Sequence, residues 1–412
     1  MSPGSRPELF RVGVNYWPAS SAMGWWSSFD PAEVEADFAR IAASGLDSVR
    51  VFLTWEDFQP TPGLVDREML ARLLVVADLA AGLGLALVPT LFTGHMSGVN
   101  WIPPWALGGS DGDHRFRVVS GGAVVRRGLR NWYGDPAVGD AQVLLAAEAA
   151  AALAGHEAVW AWDLGNENSN CVVPPNRTSA RAWLARLSSA IRGADETSLV
   201  TVGLHMEDLE EDRRLGPQEA SRACDLLSMH GYPIYARWAD GATDAELLPF
   251  LARMTYWLGE GRDVLFSEFG LPTYRRGYSH EQSAWATPLV EEEAAAAHTT
   301  AALEGLRRAG CLGAFLWCYS DYDPALWQQP PFDLAPHERT FGLWRVDRSP
   351  KPAVAAIAAF VGAERCAPGD ADAWIDIERD EFLLDPSALL PRLYRRYRKQ
   401  SRDEHSTCGM TD

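Results

Sequence analysis

Two glutamates stand at the ends of apolar, strand-like runs: Glu167 closes "AVWAWDLGNE" (158–167) and Glu268 lies inside "DVLFSEFG" (263–270). A carboxylate among such neighbours must be paired, hydrogen-bonded or neutralised, because burying it bare is costly. Two that converge can deliver a proton to a departing glycosidic oxygen and an electron pair to the anomeric carbon. That chemistry requires surroundings unequal enough to keep one carboxyl neutral and the other ionised. Further polar groups sit at other strand ends: Asn166 beside Glu167, Arg50 inside "SVRVFLTW", His95 after "LALVPTLFTG", His230 and Tyr232 in "MHGYP", and Trp317 in "FLWCYS". An arginine amid valines that reaches a glutamate keeps it charged. Singly these signals are weak, since an "NE" pair arises by chance and a lone histidine is more often a satisfied core residue. Their joint occurrence at successive strand ends carries the reading.

The elements that must position these groups follow from the hydrophobic pattern. Eight short apolar runs, 10–17, 48–55, 85–94, 158–167, 198–206, 225–232, 263–270 and 312–320, read as strands. Helical patterns fill the intervals: 31–44, 66–82, 136–154, 178–192, a short one near 216–223, 244–259, 289–309 and 351–362. The first is opened by Asp30 as N-cap with Pro31 behind it, and is ended by Gly45. Eight strands each followed by a helix predict an α/β fold, a (β/α)8 TIM barrel, whose catalytic groups belong at the C-terminal strand ends. Two connections are long, 95–135 after the third strand and 319–349 after the eighth. Both carry tryptophans, and loops of that length on a barrel are usually functional. The division expected is a barrel over 1–362 and a C-terminal extension over 363–412. Within the extension the basic, amphipathic "PRLYRRYRKQSR" packs as a helix on the barrel, with a tail frayed from about Ser401.

Composition narrows the function class. A formal net charge of -18 repels polyphosphate and anionic lipid, so neither nucleic acid nor a membrane is an expected partner. Six scattered cysteines, Cys171, Cys224, Cys311, Cys318, Cys366 and Cys408, form no CxxC pair and are read as reduced structural thiols. No secretory leader and no apolar run of about 18 residues is seen, so the expectation is a soluble, cytoplasmic protein. His95, His205 and His230 at three strand ends raise a metal-dependent hydrolase as an alternative, but no HxH pair follows the first strand; no metal and no cofactor is expected. The 17 tryptophans are divided between core filler and a sugar-binding surface.

Here the sequence resembles glycoside hydrolase family 5, in the clan of retaining barrel glycosidases with catalytic glutamates on the fourth and seventh strands. The resemblance covers about residues 10–362, and eight positions that recur in that family are matched: Arg50, His95, Asn166, Glu167, His230, Tyr232, Glu268 and Trp317. It implies Glu167 as general acid/base and Glu268 as nucleophile. It also implies that Asn166 holds the sugar 2-hydroxyl, Arg50 and Tyr232 orient Glu268, His230 supports Glu167, His95 lines the sugar site and Trp317 forms its floor. Asn168 stands where many relatives carry proline. The opening segment, from "VGVNYWPASSAMGWW" onward, is similar to a bacterial branch associated with β-mannosides. The expected function is therefore a retaining β-glycoside hydrolase, an exo-acting β-mannosidase on short oligosaccharides. A β-glucosidase or β-1,4-glucanase, and an inactive carbohydrate-binding barrel, are the alternatives.

Overall fold

The structure is a computed structural model and describes residues 9–109, 115–276, 287–368 and 373–408. Eight parallel strands close a barrel: β1 (Arg11–Tyr16), β2 (Ser48–Thr54), β3 (Ala86–Thr93), β4 (Ala161–Asn166), β5 (Leu199–His205), β6 (Leu227–His230), β7 (Val264–Phe269) and β8 (Gly313–Leu316). Neighbours pair in chain order, and β1 closes the ring against β8. The layer outside is α1 (Pro31–Ala43), α2 (Arg67–Gly82), α3 (Pro136–Ala152), α4 (Arg177–Ala194), the single turn α5 (Pro217–Ala220), α6 (Leu247–Leu258), α7 (Glu292–Arg308) and α8 (Pro352–Ile357). The (β/α)8 expectation is met strand for strand. The α1 cap is as read, with the Asp30 carboxylate accepting from the Ala32 amide.

Because side chains alternate along a strand, every second residue points into the barrel. The lowest interior layer is apolar: Val88, Ala161, Leu226, Leu265, Leu312 and Phe315 pack as a cluster of their own. Two residues further along, the same faces turn polar, with Thr90, Asp163, Ser228 and Ser267 joined there by Asn15 and Arg50. All of these are buried. Above that layer comes the mouth. Glu268 would point outward if β7 kept strict alternation from Ser267. Instead the register against β6 jumps, so that Met229 pairs with Phe266 but His230 pairs with Glu268. A similar slip separates Asp163 from Asn166 in β4. Bulges of this kind re-aim side chains beside active sites.

The connection 95–135, read from sequence as a long loop, holds a small four-stranded sheet built from His95–Met96, Val99–Trp101, Arg117–Ser120 and Ala123–Val125. Most tryptophans prove to be core: Trp17, Trp25, Trp26, Trp55 and Trp162 are fully buried. Trp132, in the long connection, is buried as well. Trp55 packs edge-on against Trp105 and Trp132 of that connection, and Trp101 and Trp105 stay partly exposed. Cys171, Cys224, Cys311, Cys318 and Cys366 carry free thiols. The side chain of Cys408 lies outside the described residues.

After α8, Trp374 and Phe382 pack into the main core, together with Leu390, Leu393 and Tyr394 of a long helix, α9 (Pro386–Cys408). The Tyr394 hydroxyl donates to Asp244 at 2.5 Å, and Arg398 pairs with the same carboxylate at 2.8 Å. The helix continues past Ser401 to Cys408, and residues 409–412 lie outside the described residues. Among the described residues no helix is long and apolar enough to cross a membrane.

Candidate active site

At the centre of the polar layer lies Arg50, with no solvent exposure. A guanidinium has five N–H groups, and five hydrogen bonds leave this one. Nε and Nη2 reach Asp163 at 3.0 and 2.6 Å, Nη2 also reaches Asn166 at 2.8 Å, and Nη1 reaches Asn15 at 3.0 Å and Glu268 at 2.6 Å. Asp163 in turn accepts from the Thr90 hydroxyl and from the amides of Gly165 and Gly203. Gly203 is required by this closeness. A Cβ there would stand 2.7 Å from the Gly165 carbonyl oxygen and 3.1 Å from Arg50 Nη2.

Glu268 rests on this base, only 4% exposed. Its second oxygen accepts from the Tyr232 hydroxyl at 2.8 Å. Burial pushes its carboxyl above the usual range, while His230, the Arg50 guanidinium and the Tyr232 hydroxyl pull it back. Glu167, at the end of β4, has a backbone φ of +46°, a left-handed conformation that costs a non-glycine residue about 1–3 kcal/mol. It is held by its amide on the Gly203 carbonyl, and its carboxylate meets His230 Nδ1 at 2.9 Å and the Asn170 amide at 3.1 Å. Burial raises its pKa too, with the Glu207 charge adding to the rise, against His95, 3.9 Å away, the Arg50 charge and the Asn170 hydrogen bond. The ring of His230, stripped of water, is pushed down to about 4, so it is a neutral imidazole near neutrality. The two carboxyls thus share a histidine but not a cation: the guanidinium touches Glu268 alone.

One oxygen of Glu167, one of Glu268 and a ring nitrogen of His230 lie within 4.8 Å of one another, among the described residues the one grouping with metal-ligand spacing. His95 and His205, the other histidines considered as ligands, are engaged elsewhere: His95 Nδ1 with Asn100 at 2.7 Å, and His205 Nε2 with Ser169 at 2.9 Å.

Seven of the eight sequence-read residues, His95, Asn166, Glu167, His230, Tyr232, Glu268 and Trp317, line one cavity of about 810 Å³. Arg50 does not. Read from sequence as a group that orients Glu268, it lies beneath the cavity and bonds that carboxylate. Reasoning from sequence missed Asn15 and Asp163, though a carboxylate inside "AWDLGNE" was a signal of the same kind as Arg50. It also missed Glu338, which lines the cavity from the loop after β8, and Ser387 and Pro391, which bring α9 to its rim.

The cavity is asymmetric. Its described lining comes from segments following β3 to β8 and from α9, with none from the loops after β1 and β2. The β3 and β8 loops are tied together. Ser97 donates to Glu338 at 3.0 Å, and Arg117 makes a two-pronged pair with Asp333 at 2.8 and 2.7 Å. Past Glu167 the cavity instead runs on over β5 and β6, along Glu207, Glu210, Arg237 and Trp238 to Ser387 and Pro391.

Compared by sequence with protein-family models and with curated proteins, the chain matches none. Compared by structure it is similar to a GH5_18 protein from Streptomyces cattleya in complex with GlcNAc, at 24% identity and a TM-score of 0.78, over 97% of this chain and 92% of that one. A variant of the same protein in complex with Manβ1-4GlcNAc matches at 24% identity and a TM-score of 0.75, over 96% and 92%. The exo-β-1,4-mannosidase Op5Man5 from Opitutaceae bacterium strain TAV5 matches at 28% identity and a TM-score of 0.69, over 87% of this chain and 60% of that one. The neighbours share the barrel, and the carboxylates read from sequence stand together at its mouth.

Proposed function

We propose that the protein is a retaining, exo-acting β-mannosidase that removes terminal mannose from short β-mannosides. The observation that carries the mechanism is the separation of Glu167 and Glu268, whose facing oxygens lie within 4.8 Å in one cavity. Carboxyls about 5 Å apart suit double displacement, whereas inversion needs room for a water between them.

Glu268, fixed by Arg50 and Tyr232, is the nucleophile: its free electron pair attacks the anomeric carbon as the glycosidic bond breaks. Glu167, raised by burial and without a cation in contact, carries the proton and gives it to the departing oxygen. In the second half Glu167 takes a proton from water, which attacks the glycosyl–Glu268 ester and releases the sugar with its original configuration. Asn166, oriented by Arg50 and by its own bond to the His95 carbonyl at 2.7 Å, is placed for the 2-hydroxyl. Trp317 offers a ring face to the sugar's C–H surface.

Exo action is supported by the tied β3 and β8 loops. The leaving group departs on the Glu167 side, so the terminal sugar occupies the opposite end, where Ser97–Glu338 and Arg117–Asp333 span the mouth. The C-terminal segment is assigned to the same working unit as the barrel, because Ser387 and Pro391 border the aglycone side. Mannose as the sugar, with GlcNAc as an aglycone, is supported by the name of the Opitutaceae enzyme and the ligand of the Streptomyces variant. An aryl β-glycoside panel tests the sugar: the mannoside should be turned over faster than the glucoside, and the reverse order would replace this reading with a β-glucosidase.

A further inference from the structure

Glu338 is a further buried carboxylate in the cavity, 6% exposed, and the two-glutamate chemistry leaves it without a task. It sits in a single turn, Pro336–Thr340, of the loop after β8. Its Oε2 accepts from Ser97 at 3.0 Å. Its Oε1 meets the Tyr235 hydroxyl at 3.3 Å and His337 Nε2 at 3.5 Å, and the Trp317 side chain supplies a further hydrogen bond to the carboxylate. Burial alone would raise this carboxyl, yet hydrogen bonds from His337, Ser97 and the Trp317 side chain outweigh it and hold it below the usual range. It is therefore ionised, acceptor-only, and beside the tryptophan proposed as the sugar floor. A carboxylate offers about four lone-pair directions, and the Tyr235 and His337 contacts on Oε1 lie at the limit of hydrogen-bond length.

We propose that Glu338 is the specificity-determining anchor of the terminal sugar, accepting hydrogen bonds from ring hydroxyls on the edge remote from the scissile bond. The inference rests on the glycosidase reading and deepens it. A ring lying on Trp317 with its anomeric carbon at Glu268 turns its far hydroxyls toward the β8 loop. A fixed anion there takes hydroxyl donors and repels a second anion, so the class selected is a neutral terminal sugar, uncapped at those hydroxyls. An oligosaccharide extended there loses both the hydrogen bond and the space.

The test is a cycle of enzyme variant against substrate deletion. Glu338→Gln keeps the shape and removes the charge, and kcat/KM is measured on an aryl β-glycoside of the preferred sugar and on its 3-, 4- and 6-deoxy analogues. On the parent, the variant should lose roughly 10- to 100-fold, the range for a hydrogen bond to a charged group. On at least one deoxy analogue that loss should nearly vanish, because the interaction has already been removed. Glu338→Asp, which keeps the charge but withdraws it by one methylene, should show the same hydroxyl-selective pattern if Glu338→Gln does not fold. An equal loss on all substrates would mean that Glu338 only holds Trp317 and the loops, and no loss on the parent would mean it does neither; each overturns the proposal while leaving the glycosidase reading intact. A wild-type protein that cleaves no aryl β-glycoside would overturn both.

Discussion

Arg50 and Glu268 are joined at 2.6 Å inside a barrel layer where the guanidinium has no contact with solvent. The same guanidinium holds Asp163, so one cation serves two carboxylates and a lost partner cannot be replaced by water. Arg50→Ala should therefore fail twice. Breaking a buried pair by removing one partner costs about 3–5 kcal/mol of stability. With Glu268 no longer held ionised and in place, kcat/KM should drop by about 100-fold or more, the scale for removing one electrostatic support of a reacting group. Denaturant melts and steady-state kinetics check the two effects separately, and a stable variant with normal rate would contradict the role given to Arg50.

Glu167→Ala should separate substrates by leaving group. A glycoside with a poorly departing alcohol needs the proton and should lose about 10²- to 10⁴-fold. An activated aryl glycoside should keep most of its first step and stall at the second, where azide in place of water restores turnover. Equal losses on both classes of substrate would argue against Glu167 as the acid/base.

The pH profile should be a bell whose limbs belong to the two carboxyls as a coupled pair. Both are raised by burial, so both limbs lie above the range of ordinary glutamates. Activity falls as pH drops through the Glu268 value, because the nucleophile becomes protonated. It falls again as pH rises through the Glu167 value, because the acid is lost. His230, pushed down to about 4, is neutral across the working range and does not form the alkaline limb. On an activated aryl substrate the alkaline limb should disappear in Glu167→Ala; its persistence would assign that limb to another group.

Opening the tied loops should change the cleavage pattern. Arg117→Ala with Asp333→Ala removes the two-pronged pair that ties the β3 and β8 loops. Timed product analysis on a linear β-mannooligosaccharide should show mannose alone from the parent and a share of internal cleavage from the double variant. Internal products from the parent itself would refute exo action.

Crowding the other end should act on the aglycone. Ser387→Trp places a large side chain at the exposed start of α9, on the cavity rim. KM for an oligosaccharide should rise severalfold, with little change for a small aryl glycoside. Equal effects on both would mean that α9 does not border the aglycone site.

Much of this was legible in the sequence, for identifiable reasons. All eight strands could be found because parallel strands buried on both faces need continuous apolar runs. The catalytic candidates could be found because barrel chemistry belongs at strand ends, where Asn166, Glu167, His230 and Glu268 break that apolarity. What escaped depends on contacts between segments distant in the chain. Glu338 acquires meaning only when the β8 loop folds back onto Ser97, 241 residues away. Ser387 reaches the cavity because Leu390, Leu393 and Tyr394 pack α9 into the core, with Tyr394 and Arg398 bonded to Asp244. The tryptophan count could not say which rings are core, as Trp132 packed on Trp55 is, and which line the cavity, as Trp238 and Trp317 do. Glu268 itself was found by type and place; the bulge that turns it inward after Ser267 has no signature in "LFSEFG".

The central claim is that Glu167 and Glu268 work by double displacement, and the anomer formed first tests it most directly. Proton NMR of the hydrolysis of an aryl β-mannoside, recorded before mutarotation sets in, should show the β-anomer of mannose appearing first. The α-anomer as first product would mean direct displacement by water and would contradict the mechanism.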